Sequence, residues 1–266
     1  MVNAVTASIG TLSAVGLCKA FPQENAPDVV ALDQVDLIIH SGEFVSLIGP
    51  SGCGKSTFLR LVAGLAQATA GTLTLDGQPI VRPGCERGLV FQDPTLFPWM
   101  TVYENVAFGL RVRGLYRQNS HEVLEFIELV GLKGFEQAYP HHLSGGMAQR
   151  ASLARTLVNH PKVVLLDEPL GALDAFTRMG MQDEILKIWR QRGTTMVMVT
   201  HDVDEAIYMS DRIIVMSPRP ARIEKVIEVT IGRPRSRDLP DFLRLRSSIL
   251  QILHFTGNRP DLPFYL

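Results

Sequence analysis

The chain has 266 residues, 46% hydrophobic and 20% charged, enough for one large core or a core with a subdomain attached. Its formal net charge of -1 excludes a global basic field that would draw nucleic acid or anionic lipid. Cys18, Cys53 and Cys85 are widely spaced and form no CxxC pair, which argues against a disulfide framework or zinc ribbon and fits a reducing cytosol.

The first dozen residues lack a basic start and a long apolar block, so no targeting segment is expected. No uninterrupted apolar run approaches the ~18 to 20 residues of a membrane span, and the chain is expected not to cross a membrane by itself. "VDLIIH", "GEFVSLIG" and "GTLTLDG" read as strands punctuated by glycine. Between the last two, "KSTFLRLVAGL" (55–65) has helical spacing at Phe58, Leu59, Val62 and Leu65.

"RGLVFQ" (87–92) is expected to be a buried strand, followed by helices near 103–113 and 120–130. "LSGG" opens another helix, which Pro161 ends. Then come a strand "KVVLLDE", a helix from about 174 to 191, a strand "TTMVMVT", a short helix from 203 and a strand "RIIVMS". Such alternation predicts an α/β fold with a mostly parallel sheet covered on both faces. The segment 93–160 reads as a helical subdomain inserted in that series, and 235–266, with "FLRLRSSILQIL", as a C-terminal helical extension.

"GPSGCGKS" fits G-x-x-x-x-G-K-[ST] through Gly49, Gly54, Lys55 and Ser56. Backbone N–H groups of such a loop wrap phosphates, the helix behind it offers its positive end, Lys55 adds charge, and the Ser56 hydroxyl can ligate Mg²⁺. Cys53, inside the loop, reads as a small space-filling side chain rather than a redox switch. In "VVLLDEP" a buried strand delivers Asp167 to its carboxyl end, where such sheets bind ligands. From there it can hold Mg²⁺ through water. Glu168, beside it, is placed to polarise an attacking water. His201, ending another apolar strand, either hydrogen-bonds a γ-phosphate or merely caps the strand, and Gln92 either ligates Mg²⁺ or starts a turn. His141 and His142 read as solvated loop residues.

In order, "GPSGCGKST", Gln92, "LSGGMAQR", "VVLLDEP", "GALD" and His201 resemble the ATP-binding-cassette ATPase family. That resemblance implies a P-loop fold with an N-terminal antiparallel β part, spanning 1–266 as a single ATPase domain. It implies that Gly49, Pro50, Ser51, Gly52, Cys53, Gly54, Lys55, Ser56 and Thr57 bind the phosphates of ATP. Ser56, Gln92 and Asp167 would hold Mg²⁺, Glu168 would be the general base, His201 the γ-phosphate switch, and Phe21 would stack on adenine. It further implies that two cassettes face each other, with Ser144, Gly145 and Gly146 capping the ATP of the other subunit and Asp174 contacting it. The segments around Glu168, His201 and Met147 resemble the nitrate, sulfonate and taurine importer branch, although Leu170 replaces the usual Phe and Ala148 the usual Arg or Lys. The implied partners are a second ATPase subunit, transmembrane permease subunits and, indirectly, a substrate-binding protein, at the cytoplasmic face of the inner membrane. Leu96, Phe97, Pro98 and Trp99 form an apolar turn suited to a permease helix. A soluble cassette ATPase acting on nucleic acid or ribosomes is the alternative; the charge of -1 and the lack of long inserts or basic tails disfavour it. A P-loop kinase or GTPase would not need "LSGGMAQR", and no guanine-reading "NKxD" segment is present.

Overall fold

The computed structural model describes residues 10–256 apart from Asn25 and Ala172. Its core is a sheet of six strands in which β3 (Phe44–Ile48) lies at the centre. On one side of β3 follow β8 (Thr195–Val199), β7 (Val163–Asp167) and β6 (Arg87–Val90); on the other, β9 (Arg212–Met216) and β10 (Ile223–Glu228). All neighbours are parallel except β10 on β9. Every residue of β3 and β8 is buried, as strands covered on both faces require. The parallel register brings the carboxyl ends of β3, β7 and β8 to one edge.

The strand expected at 87–92 is shorter and less buried than its sequence suggests. It stops at Val90, its only fully buried residue, while Phe91 is exposed. Its position at the sheet edge is the reason; an apolar run does not reveal whether a second neighbour will cover it.

The second sheet is antiparallel: β1 (Leu12–Gln23) lies between β2 (Ala26–Ile39) and β4 (Ala70–Leu75), with β5 (Gln78–Pro79) beyond β4. Leu17, Leu32, Ile39 and Leu73 of this sheet share one core with α1 (Lys55–Val62) and with Val163, Leu165 and Val197 of the main sheet. Helix α1 ends sooner than its spacing predicts, because Gly64 follows in the left-handed region (φ 75) with Arg82 packed on it. Leu65 therefore lies beyond the helix and is exposed.

On the opposite side, α2 (Val102–Val112), α3 (Tyr116–Leu129) and α4 (Gly145–Leu157) pack through Val106, Phe126 and Leu153. The same cluster includes Leu166 of β7 and Ile185 of α5 (Ala175–Arg192). A third cluster joins α6 (Val203–Met209) and α7 (Pro240–Thr256) to the sheet through Ala206, Phe242, Ile249 and Ile213. Within the segment expected to be a C-terminal extension, α7 docks on the core through Phe242 and Ile249, and 257–266 lie outside the described residues. No described helix is long and apolar enough to cross a membrane.

Candidate active site

The loop between β3 and α1 closes under a cavity of about 250 Å³. Ser51, Gly52, Gly54, Lys55, Ser56 and Thr57 form its phosphate-loop side; Phe21, Val29 and Ala31 of the antiparallel sheet form the opposite wall. Gly54 cannot be replaced freely. Its φ is 134, and a Cβ there would stand 2.7 Å from the Ala31 carbonyl and 2.9 Å from Leu32. Backbone therefore approaches backbone at the point where the loop turns into the helix.

Lys55 is 6% exposed, and its ammonium donates to the Gly49 carbonyl at 2.8 Å and the Pro50 carbonyl at 2.9 Å. Among the described residues it forms no ion pair; its ammonium also approaches Cys53 Sγ at 3.9 Å, and its charge acts at longer range on the Asp167 carboxyl. Cys53 is 2% exposed and packs into the core beneath the loop. Its side chain does not line the cavity, which limits the expected ligand role of this residue to backbone. Gly49 and Pro50 also lie off the lining. Phe21 is not a core residue: it is 42% exposed, faces Val29 across the β1–β2 pair, and carries the Lys19 ammonium 4.9 Å from its ring centre.

At the carboxyl edge of the sheet, the Ser56 hydroxyl donates to Asp167 Oδ1 at 2.9 Å. Burial raises the Asp167 carboxyl above the usual carboxylate range; the charge of Glu168 adds to the rise and the Ser56 hydrogen bond opposes it. Glu168 has φ 47, a left-handed conformation rare for a residue with a side chain. This turn directs its side chain away from that of Asp167, onto the cavity lining. There Glu168 Oε2 lies 3.2 Å from His201 Nδ1, and His201 is largely exposed just past β8. The two residues expected to act on water and on phosphate are thus in contact. Gln92 lies exposed two residues past β6, with its side-chain nitrogen against Gly171 rather than on the cavity lining.

The second glycine pair is elsewhere. Ser144 caps α4, its hydroxyl accepting from the Met147 N–H at 3.3 Å, and neither Ser144, Gly145, Gly146 nor Asp174 lines the cavity. Gly145 is open, with nothing nearer than 3.9 Å to a Cβ placed on it. At Gly146 a Cβ would stand 2.9 Å from Thr177 of α5, so the absence of a side chain here allows close helix packing. Asp174 caps α5, with Oδ1 accepting from the Phe176 and Thr177 N–H groups, both at 3.1 Å.

In the apolar turn at 96–99, Leu96 packs on the helical core, Phe97 lies against Phe108 at 4.7 Å, and Trp99 is 69% exposed. Beside them is a cavity of about 390 Å³ between β6, α2 and α4. Three residues lining the phosphate-loop cavity are not foreseen from the sequence: Val29 and Ala31 of β2, and Arg219, between β9 and β10. Arg219 belongs to no phosphate motif, and only the contacts of the folded chain reveal it.

A family described as "ABC transporter" matches residues 32–171, and the uncharacterized ABC transporter ATP-binding protein MJ0412 of Methanocaldococcus jannaschii is 49% identical over 91% of this chain and 91% of its own length. The chain belongs to the ABC transporter family. This ABC protein is also 46% identical to the aliphatic sulfonates import ATP-binding protein SsuB of Bacillus subtilis, over 87% of this chain and 90% of that one. Among solved structures, the dimeric post-hydrolysis state of the ATP-binding cassette MJ0796 bound to ADP and Pi matches with a TM-score of 0.72 and 31% identity, covering 83% of this chain and all of that one. The ABC cassette described above is therefore an ATP-binding ATPase with the expected fold: parallel core sheet, N-terminal antiparallel sheet and inserted helices.

Proposed function

We propose that the chain is the ATP-hydrolysing subunit of an importer that takes up a small solute of the nitrate, sulfonate or taurine type through a separate permease. The observation that carries the catalytic part is the contact of Glu168 with His201 on a cavity that also exposes the phosphate loop and Lys55. Likeness to the SsuB sulfonate import proteins supports the solute class. The formal charge of -1 gives no support to a nucleic-acid partner.

In this reading ATP lies with its base on Phe21 and its phosphates in the N–H groups of residues 49–57, with Lys55 released from the loop carbonyls toward the anion. The Ser56 hydroxyl and the Asp167 carboxylate form a hard-oxygen pair at the cavity edge, which suits Mg²⁺. A cation there also relieves the buried charge of Asp167. Ser56, Asp167 through water, and Gln92 would hold the ion, which when bound neutralises charge on the β- and γ-phosphate oxygens. Glu168 takes a proton from water as its oxygen attacks the γ-phosphorus, and the bond to the β–γ bridging oxygen breaks to release ADP. His201 orients that carboxylate and contacts the γ-phosphate.

Ser144, Gly145 and Gly146, with the α4 N-terminus, cap the nucleotide of a second cassette, and Asp174 meets that subunit. Phe176, 88% exposed in the first turn of α5, provides an apolar contact beside it, and the solved cassette MJ0796 is likewise described as dimeric. The cavity by Phe97 and Trp99 receives a cytoplasmic segment of the permease. The chain works as one ATPase domain with 93–160 as its helical subdomain, peripheral to the cytoplasmic face of the inner membrane, and a substrate-binding protein acts indirectly through the permease. Glu168→Gln tests the assignment: steady-state turnover should fall by roughly 10² to 10⁴, while ATP binding persists and the dimer is trapped on size-exclusion chromatography. Hydrolysis at the wild-type rate would remove Glu168 as the base.

A further inference from the structure

Apart from Lys55, Arg219 is the one cation on the nucleotide-cavity lining among the described residues. It belongs to the loop 217–222 between β9 and β10, and both its Nε and its Nη2 donate to the Gly52 carbonyl, at 3.1 and 2.7 Å. Gly52 is the left-handed residue (φ 72) in the middle of the phosphate loop. A loop that presents N–H groups to phosphate must turn its carbonyls elsewhere and satisfy them there. Lys55 occupies the Gly49 and Pro50 carbonyls; Arg219 occupies that of Gly52.

The same loop is fastened to the opposite wall. Asp33 N–H donates to the Ala221 carbonyl and Ala221 N–H to the Ala31 carbonyl, both at 3.0 Å. Arg222 adds an ion pair to Asp33, with Nη2 at 2.5 Å from Oδ2. Residues 217–222 therefore touch both sides of the cavity: Gly52 on the phosphate side, and the strand of Ala31, beside Phe21, on the other.

We propose that Arg219 is a nucleotide-positioning residue, which locks the Gly52 peptide of the phosphate loop at a fixed distance from the β2 wall and adds a second positive charge to a cavity that receives a polyanion. This rests on the reading of the cavity as the ATP site. Arg219→Ala should raise KM for ATP and Kd for both ATP and ADP by about tenfold, the scale of one hydrogen bond to a charged group, with kcat within about twofold of wild type. Arg219→Lys should recover part of the affinity by restoring the charge without the two-nitrogen grip on one carbonyl. Arg222→Ala, off the cavity, serves as the control for loop attachment, and melting temperatures are measured for all variants.

An Arg219→Ala protein with wild-type KM and Kd overturns the proposal. So does one whose weakened binding is matched by Arg222→Ala with the same drop in melting temperature, since the loop would then act only as structure. Lys55→Ala measured alongside separates the two readings. If wild type binds ATP, Lys55→Ala does not, and Arg219→Ala binds as wild type, Arg219 alone loses its role; if wild type itself shows no saturable ATP binding, the ATP-site reading falls.

Discussion

Two adjacent acids, Asp167 and Glu168, illustrate how much one torsion decides at the residue scale. Asp167 finishes β7 in extended geometry and meets Ser56, whereas the left-handed backbone of Glu168 sends its carboxylate to His201. Another acid is placed for a measurable effect on stability. Glu205 of α6 is 4% exposed and accepts from the Gln182 amide at 3.3 Å; burial raises its carboxyl, the charge of Asp202 adds to the rise, and hydrogen bonds from Thr200 and Gln182 oppose it. A raised native value means that the folded state holds the proton more tightly, so Glu205 contributes most below the ordinary glutamate value of 4.5 and progressively less as pH climbs through its native value. Glu205→Gln should remove this dependence, so that urea midpoints of wild type fall relative to the variant with rising pH; a difference that moves the other way refutes the assignment. Lys55, Ser56, Asp167 and Glu168 were legible in the sequence because their chemistry is tied to a spacing. Arg219 was not, since its contact with Gly52 spans 167 positions and no local pattern encodes it. Nor could spacing separate Gly145, which is open, from Gly146, which is packed.

At the scale of elements, the sequence predicted most helices and central strands because their burial follows period and apolar run length. It missed what depends on neighbours: the edge position of β6, the early end of α1 under Gly64, and the long β1 strand, whose pairing with β2 is broken by several register shifts. Helix α2 shows how locally some boundaries are set. The Thr101 hydroxyl accepts from the Glu104 N–H at 3.2 Å while the Glu104 carboxylate accepts from the Thr101 N–H at 2.9 Å, a reciprocal cap. Thr101→Ala should destabilise the protein by about 1 kcal/mol, read as a lowered urea midpoint with unchanged slope. A loss within error would mean that the apolar face of α2 alone fixes where it starts.

For the whole molecule, the arrangement of two phosphate-friendly segments on one chain makes stoichiometry testable. The cavity is lined without Ser144, Gly145 or Gly146, and under the proposed function a cap made by these residues would act on another copy. Ser144→Arg should leave fluorescent-ATP binding by the isolated chain intact yet reduce turnover to background at all protein concentrations; turnover that survives would refute the shared site. The tight packing of Gly146 on Thr177 adds a mechanical consequence. Because the starts of α4 and α5 meet with no room for a methyl group, Ser144 and Asp174 ride on a common joint. In the proposed pairing, a push felt by one cassette at its α5 start would then be transmitted to the lid it holds over its neighbour's nucleotide, so that the two halves of the assembly would keep time with each other.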